Sequence, residues 1–241
     1  MLRNLFFLVT LSLVCSCDGG PDLVGPDHPP DFDFDFDFPE RGGVDGSGNV
    51  VTESRALGPF HAVSFSGISG PGATADLVLE QTGSSSLTIT AEDNIQPLLV
   101  SEVVDGWLRL GVAPNTNLGR VQQIEFRLTV PALDELSVSG AASVDATRID
   151  TDRLDVVVNG ATTVTIAGRA DQQDITIRGA STYDAAALES RTVTVDATGV
   201  SQVVVRVSEA LTARVRTPSS VTYIGTPAVH VDGPPGTVHQ Q

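Results

Sequence analysis

The sequence predicts an all-β fold, a parallel, right-handed β-helix (solenoid) of about five to seven coils preceded by an N-terminal β-hairpin region. Three observations predict it. Five similar segments follow one another beyond Pro131 at a nearly constant interval, each contains two short stretches of alternating apolar and polar residues, and no segment reads as a helix. The composition agrees, because 23 Gly, 14 Pro and many Val and Thr accompany only 5% aromatic residues.

The repeat is defined by the residue at the bend between its two stretches. A bend with positive φ or a close backbone approach suits glycine. Inward residues such as Val158 and Ile177 need a coil above and below them, so one coil alone cannot fold. An antiparallel sandwich is the alternative, but it does not require equal spacing. The bend positions are Gly140, Gly160, Gly179, Gly199 and Thr217, at intervals of 20, 19, 20 and 18 residues, and the Thr217 bend is expected to differ.

The region before the repeat contains a strong hairpin signal. Asp105-Gly106 lies between two apolar stretches, 98–100 and 107–110, and this dipeptide favours a two-residue β-turn. Further strands are predicted at Ala62 to Phe65, Ala75 to Glu80, Leu87 to Thr90 and Ile124 to Val130.

The first sixteen residues have the pattern of a lipoprotein signal peptide. Arg3 precedes the apolar run Leu5 to Val14, which is too short to span a bilayer as a mature helix. Val14 and Ser16 then stand three and one residues before Cys17, as in a bacterial lipobox. Cys17 is therefore the predicted lipid-attachment residue, and the protein is expected in the cell envelope, anchored to a membrane and facing the periplasm or the exterior. The alternative is an ordinary signal peptide whose cysteines are passive.

Residues 17–53 are predicted to form an acidic tether rich in proline and glycine, followed by the folded domain at 54–233 and a tail at 234–241. Within the tether, the segment from Asp31 to Phe38 alternates Asp and Phe. As a strand it would have four carboxylates on one face and four phenyl rings on the other. A solvated dipeptide repeat is the favoured interpretation, and a strand that responds to Ca²⁺ is the alternative.

Charge excludes one class of partner. The chain has 30 Asp and Glu against 14 Lys and Arg, a formal net charge of -16. Because this excess repels phosphate backbones, nucleic acid is not an expected partner.

One polar column is the candidate binding site. Side chains three residues after each bend can hydrogen-bond, and as a binding site they would face a glycan, peptidoglycan or an envelope protein. A hydrogen-bonded structural ladder is the other interpretation of these side chains, and it is the favoured one. The column consists of Ser143, Thr163, Thr182, Gln202 and Ser220.

No catalytic residue, metal site or cofactor is predicted. His28, His61, His230 and His239 are scattered, and no metal-ligand spacing joins them. The candidate carboxylates of a carbohydrate-active enzyme are interpreted as lying at differing offsets from the bends, so they are not expected to stack. These are Asp145, Asp155, Asp174 and Asp184. A groove lined by three or more convergent charged side chains would favour an enzyme, and a flat Ser/Thr face would favour a binding module.

The residues from Arg55 to Gly233 resemble the bacterial head GIN domain family, labelled auto-transporter adhesin. The resemblance implies an extracytoplasmic β-helical domain, often lipid-anchored, without an established activity. A binding module, adhesion-like or scaffolding, is therefore expected, with a polysaccharide lyase or hydrolase as the alternative. The matching segments are the bends Ser139 to Val144, Asn159 to Val164, Arg178 to Tyr183 and Thr198 to Val203, the opening Phe60 to Ile68, the acidic-Asn element Glu92 to Ile95 and the closing Tyr223 to Pro227; Ser69 and the missing bend aspartates depart from the pattern.

Overall fold

Strands make up the regular structure of residues 43–68 and 74–241, which are the residues that the structure, a computed structural model, describes. A single 3-10 turn at Gln96–Leu98 is the only helical element among them, so the all-β prediction is confirmed. The strands are β1 (Val50–Arg55), β2 (Ala62–Ser66), β3 (Ala75–Gln81), β4 (Ser86–Glu92), β5 (Leu99–Val104), β6 (Trp107–Val112), β7 (Ile124–Val130), β8 (Glu135–Gly179), β9 (Thr182–Gly199), β10 (Gln202–Val215), β11 (Ser220–Ile224), β12 (Ala228–Asp232) and β13 (Val238–Gln240).

The repeated segments pair in parallel at the predicted spacing. Strands β8, β9 and β10 form consecutive parallel pairs, and β10 then pairs in parallel with both β11 and β12. Val195 lies between Ile175, twenty residues earlier, and Ala213, eighteen residues later. Equivalent residues of successive repeats are therefore neighbours across the sheet, and the antiparallel sandwich does not describe this part of the chain.

The N-terminal half differs from the predicted parallel arrangement because it is mixed. Strands β1 and β4, β4 and β7, and β5 and β6 pair antiparallel, whereas β2 and β3 join the sheet in parallel. Two residues connect β5 to β6, and so short a connection can only reverse the chain. The predicted Asp105-Gly106 hairpin is confirmed, with φ of 51° and 80° at its two turn residues. The sheet is open, with the order β1-β4-β7-β3-β8-β9-β10-β11-β13.

The core follows the alternation of the strands. Val158 and Ile177 are fully buried, as predicted for inward positions, and so are the equivalent residues of the other repeats. At the N-terminal end, the rings of Phe65 and Phe126 pack edge to face with centroids 5.4 Å apart. Each fully buried Val, Ile or Leu side chain contributes roughly 1.5–3 kcal/mol to folding.

The glycine bends stack directly on one another. Gly140, Gly160, Gly179 and Gly199 have φ between 83° and 118°. A Cβ atom on Gly179 would lie 2.4 Å from the carbonyl oxygen of Gly160, and one on Gly199 would lie 2.3 Å from that of Gly179. Both features that predicted glycine at the bends, a positive φ and a close approach of the backbone, are therefore present. The fifth bend differs, as expected, since Thr217, unlike the four bend glycines, does not have a positive φ.

The folded region extends beyond both predicted boundaries. Residues 43–53, assigned to the tether, include most of β1, which pairs with β4 from Val50 opposite Glu92 to Arg55 opposite Leu87. Its β-branched residues Val50, Val51 and Thr52 suit an edge strand better than a linker. The predicted tail contains β13, which pairs with β11. The signal peptide, Cys17, the Asp-Phe segment and Ser69 lie outside the described residues, among which no helix is long and apolar enough to cross a membrane.

Candidate functional site

The predicted polar column is a row of paired residues. Thr182 lies between Thr163 and Gln202, and Gln202 pairs with Ser220. The side chains of Thr163, Thr182 and Gln202 are exposed, while Ser143 and Ser220 are partly buried. The row therefore lies on the outer face of the sheet.

The same row continues across the N-terminal half. Ser143 pairs with Asp76, and Asp76 pairs in turn with Glu125. Gly140 and Gly160 stack on one another, and Ser143 and Thr163 each lie three residues beyond these glycines. Ser143 and Thr163 are therefore neighbours, and the two stretches form one row, which we call the polar column. From one end to the other it contains Thr52, Thr90, Glu125, Asp76, Ser143, Thr163, Thr182, Gln202 and Ser220.

A buried hydroxyl ladder lies one residue before the predicted column. The hydroxyl groups of Ser181, Ser201 and Ser219 donate hydrogen bonds of 3.0, 3.2 and 2.9 Å to the carbonyl oxygens of the preceding bend glycines. Thr162 donates in the same way to Gly140, at 3.3 Å. The structural ladder considered for the polar column therefore belongs to these neighbours. The sequence signal was a hydroxyl two residues after four of the five bends, all except Gly140, at positions that alternate inward like the buried Val164.

Ion pairs lie at the opposite bends of successive repeats. Arg169 contacts Asp171 at 2.9 Å and Arg191 contacts Glu209 at 2.9 Å. Two adjoining grooves of about 380 and 450 Å³ share Asp171 and Arg191, and we call them together the charged groove. Its charged lining consists of Asp152, Arg153, Arg169, Asp171, Glu189, Arg191, Arg206 and Glu209. Equal numbers of Arg and acidic residues make this lining electrically balanced within a strongly acidic chain.

The expectation that the acidic residues do not stack is wrong for one pair. Arg153 contacts Asp155 at 3.1 Å and Asp174 at 2.6 Å. These two aspartates each lie five residues before a bend glycine, so their offsets are equal and Arg153 can bridge neighbouring repeats. Asp145 and Asp184 pair instead with Val78 and Thr165.

The two carboxyl groups with raised pKa lie outside the charged groove. Burial, and secondarily Glu125, raises the pKa of Asp76 above its ordinary 3.8. Burial, and secondarily Asp155, raises the pKa of Glu135 above 4.5, while His61 partly opposes the rise. Within the groove, Asp171 and Glu209 are held by arginines. Convergent charges are present there, but they neutralise one another as ion pairs.

The acidic-Asn element fastens the incoming chain to the domain. Glu92, 1% exposed, accepts hydrogen bonds from the amides of Gly48 (3.2 Å) and Gln122 (3.1 Å). Asn94 donates to the carbonyl oxygen of Asp45 at 2.7 Å. We call this set of contacts the latch.

Asp93 completes the latch. It accepts hydrogen bonds from Ser47 and Asn49, and these bonds lower its pKa below 3.8. Sequence reasoning did not anticipate the latch, because its partners lie thirty or more residues apart.

A second buried polar set interrupts the apolar core. The Tyr183 hydroxyl donates to Oε1 of Gln173, and Nε2 of Gln173 donates to the Ser190 hydroxyl. Burial raises the pKa of Tyr183, so the phenol remains protonated. Within residues 43–68 and 74–241, no group of three or more His, Cys, Asp or Glu side chains is placed to hold a metal ion.

Parallel repeats, stacked bends and long outward rows of polar side chains define an extended all-β domain that presents surfaces rather than a deep cavity. The chain belongs to the family described as "Putative auto-transporter adhesin, head GIN domain", whose profile matches residues 64–227. The predicted membership is confirmed.

Several solved structures are similar to this chain, and the first one below shares its fold. A "putative adhesin" from Bacteroides fragilis is 21% identical, with a TM-score of 0.63, over 83% of this chain and 100% of that chain. A "putative lipid binding protein" from Parabacteroides distasonis is 16% identical with a TM-score of 0.48, over 83% and 100% of the two chains. A "putative adhesin" from Parabacteroides merdae is 19% identical with a TM-score of 0.47, over 83% and 99%. No curated protein matches the chain significantly.

Proposed function

We propose that this protein is a lipid-anchored binding module of the bacterial cell envelope, adhesion-like or scaffolding, whose repeats wind as a right-handed parallel β-solenoid. The observation that carries the proposal is the polar column. Its C-terminal stretch is a straight, outward row of four in-register residues on neighbouring strands. Such a row repeats the same hydrogen-bonding groups at the strand spacing of about 4.8 Å, which suits an extended polymer or another protein surface.

The cellular location in this proposal depends on the N-terminal sequence. The apolar run and the lipobox residues Val14, Ser16 and Cys17 support export and acylation at Cys17, with membrane contact through the lipid. The family description as an adhesin agrees with a location outside the cytoplasm. Labelled palmitate incorporation tests this part, because replacing Cys17 with Ser should abolish labelling.

A binding screen with residues 43–241 tests the role of the column. The probes are peptidoglycan sacculi, arrayed envelope polysaccharides and whole bacterial cells. Replacing Thr163, Thr182 and Gln202 with Ala should lower binding at least tenfold. The matched control replaces Thr176, Thr194 and Thr212, on the strands that form the other outward face, with Ala. Equal binding by both variants would contradict the assignment of the site.

A polysaccharide lyase or hydrolase is the second candidate, and one observation favours it. Asp76, with a raised pKa, pairs with Glu125, whose carboxylate is held by Arg127. A carboxyl group with a raised pKa beside a second carboxyl group is the arrangement that glycosidases use. Incubation of envelope polysaccharides with the parent and with Asp76→Asn tests it, since an enzyme would release oligosaccharides in the parent alone. Binding without release supports the module.

A further inference from the structure

At the C-terminal end of the sheet, strand β12 lacks, in the part of the chain that the structure describes, the additional neighbouring strand that β11 has. Strand β13 covers β11, whereas β12 pairs with β10 alone, so its other edge is free among the described residues. Val229 and Val231 of β12 are 40% and 41% exposed, although their partners on β10, Leu211 and Ala213, are buried. These valines therefore occupy inward positions that no further strand covers.

The space beside β12 fits a single strand. Strand β13 forms one further strand layer beyond β11. The flat end of another solenoid would therefore contact β13 before it came within the strand spacing of β12, about 4.8 Å. Pro227 precedes β12 and Pro234 follows it closely, which limits the free edge to about five residues. A suitable occupant is thus a short extended peptide with an apolar residue at every second position.

One segment of this chain has that pattern. From Asp31 to Phe38, outside the described residues, Phe alternates with Asp over eight positions. We propose that this segment of a second copy adds to the free edge of β12 as a strand, with its phenyl rings over Val229 and Val231. Hydrogen bonds to the backbone of β12 would provide affinity, and the alternation of Phe and Asp would set the register of the added strand. Repetition of the contact would link molecules head to tail.

Chain length favours a second copy over the same molecule. Gly46 lies against Glu92 at the end of β4, and it follows Phe38 by eight positions, with seven residues between them. Fully extended, eight residues span about 27 Å. From β4 to a strand beyond β12 there are at least seven strand spacings in the order β4-β7-β3-β8-β9-β10-β12, or about 34 Å. The segment therefore falls short of its own β12.

Electrostatics gives the contact a recognisable salt dependence. The aspartates of the added strand would lie beside the outward residues His230 and Asp232, of which Asp232 is already paired with Arg214 at 3.2 Å, in a chain of net charge -16. Because like charges then approach one another, salt should strengthen the association by screening them. An interface made by ion pairs would weaken under the same conditions.

Association of the full-length chain in detergent is the test, measured by sedimentation and by hydrogen exchange of the β12 amides. We expect oligomers and β12 protection that increase with protein concentration and with salt. Deletion of residues 31–38 should leave a monomer with unprotected β12 amides. Val231→Asp should also abolish association, whereas the matched outward substitution His230→Asp should retain it. Thermal unfolding of each variant establishes that it is folded.

Peptide addition separates the proposed contact from other causes. A synthetic peptide with the sequence of residues 31–38 should restore β12 protection in the deletion variant, and a peptide that groups the four Asp before the four Phe should not. Oligomers that survive the deletion, protection that is independent of concentration, or equal effects of both peptides would each overturn the proposal. None of these results depends on the identity of the ligand of the polar column.

Discussion

The Tyr183 hydroxyl donates a 3.1 Å hydrogen bond to Oε1 of Gln173, and both side chains lie in the apolar interior. The geometry explains why tyrosine is tolerated at a position where the other repeats have valine. The ring of Tyr183 fills the core. Gln173, on the neighbouring strand β8 at the charged bend, accepts a hydrogen bond from the hydroxyl, which is the only donor of the tyrosine side chain.

Removing this hydroxyl should destabilise the fold. Tyr183→Phe leaves Oε1 of Gln173 buried without its donor, and we expect the free energy of unfolding in urea to fall by about 1–3 kcal/mol. Tyr223→Phe is the matched control, because Tyr223 is only partly buried. The double variant with Gln173→Leu should recover part of the loss, and identical midpoints for parent and Tyr183→Phe would refute the argument.

The stacked bends predict a strong effect at Gly179. An Ala there combines an unfavourable φ of 110° with a contact of 2.4 Å to the backbone of Gly160. We expect Gly179→Ala to lower the unfolding free energy by about 2–5 kcal/mol. Gly83 also has positive φ, 79°, but nothing lies within 4 Å of its missing Cβ. Gly83→Ala should therefore cost only about 1–2 kcal/mol. Similar losses in both variants would mean that the stacking contact is unimportant.

The repeat could be predicted because it is local in sequence. Gly140 and Gly160 recur with the same neighbours, so spacing alone gives the pairing, and alternation gives the buried face of Val158. The mixed N-terminal half could not be predicted in the same way. Strand β7 lies between β3 and β4, although a short turn joins those two strands, and no local pattern records such an insertion.

The sequence alone did not separate the outward polar column from the buried hydroxyl ladder, which lie one residue apart. Thr182 and Ser181 are neighbouring hydroxyl residues, and composition does not distinguish the surface residue from the ladder residue. Alternation does distinguish them, because Ser181 lies two residues before the buried Tyr183 and therefore faces the same side of the strand, whereas Thr182 faces the other side. The latch, by contrast, depends on pairings such as that of Gly48 with Glu92, which only the folded chain brings together.

The distinction between ladder and column can be tested by stability. Replacing Thr162 with Val, and Ser181 and Ser201 with Ala, removes three buried donors whose acceptors are backbone carbonyls. Each bond should contribute about 0.5–1.5 kcal/mol, so urea unfolding should show a combined loss of about 1.5–4.5 kcal/mol. The column variant with Ala at positions 163, 182 and 202 should change by less than about 0.5 kcal/mol per site. A larger loss in the column variant would reverse the two roles.

The latch should release at acid pH because of Asp93. Its folded pKa lies below 3.8, owing to the hydrogen bonds from Ser47 and Asn49. Folding therefore favours the ionised form, and the stabilisation is fully present above pH 3.8 and is lost as the pH falls through the lowered folded value. Hydrogen exchange of the amides of residues 43–49 should show protection at pH 6 that declines at lower pH. Asp93→Asn, which resembles the protonated side chain, should have weaker protection at pH 6 and little pH dependence. The exposed Asp105→Asn variant is the control and should follow the parent. A parent whose protection does not change below pH 3.8 would show that the ionised carboxylate does not hold the latch.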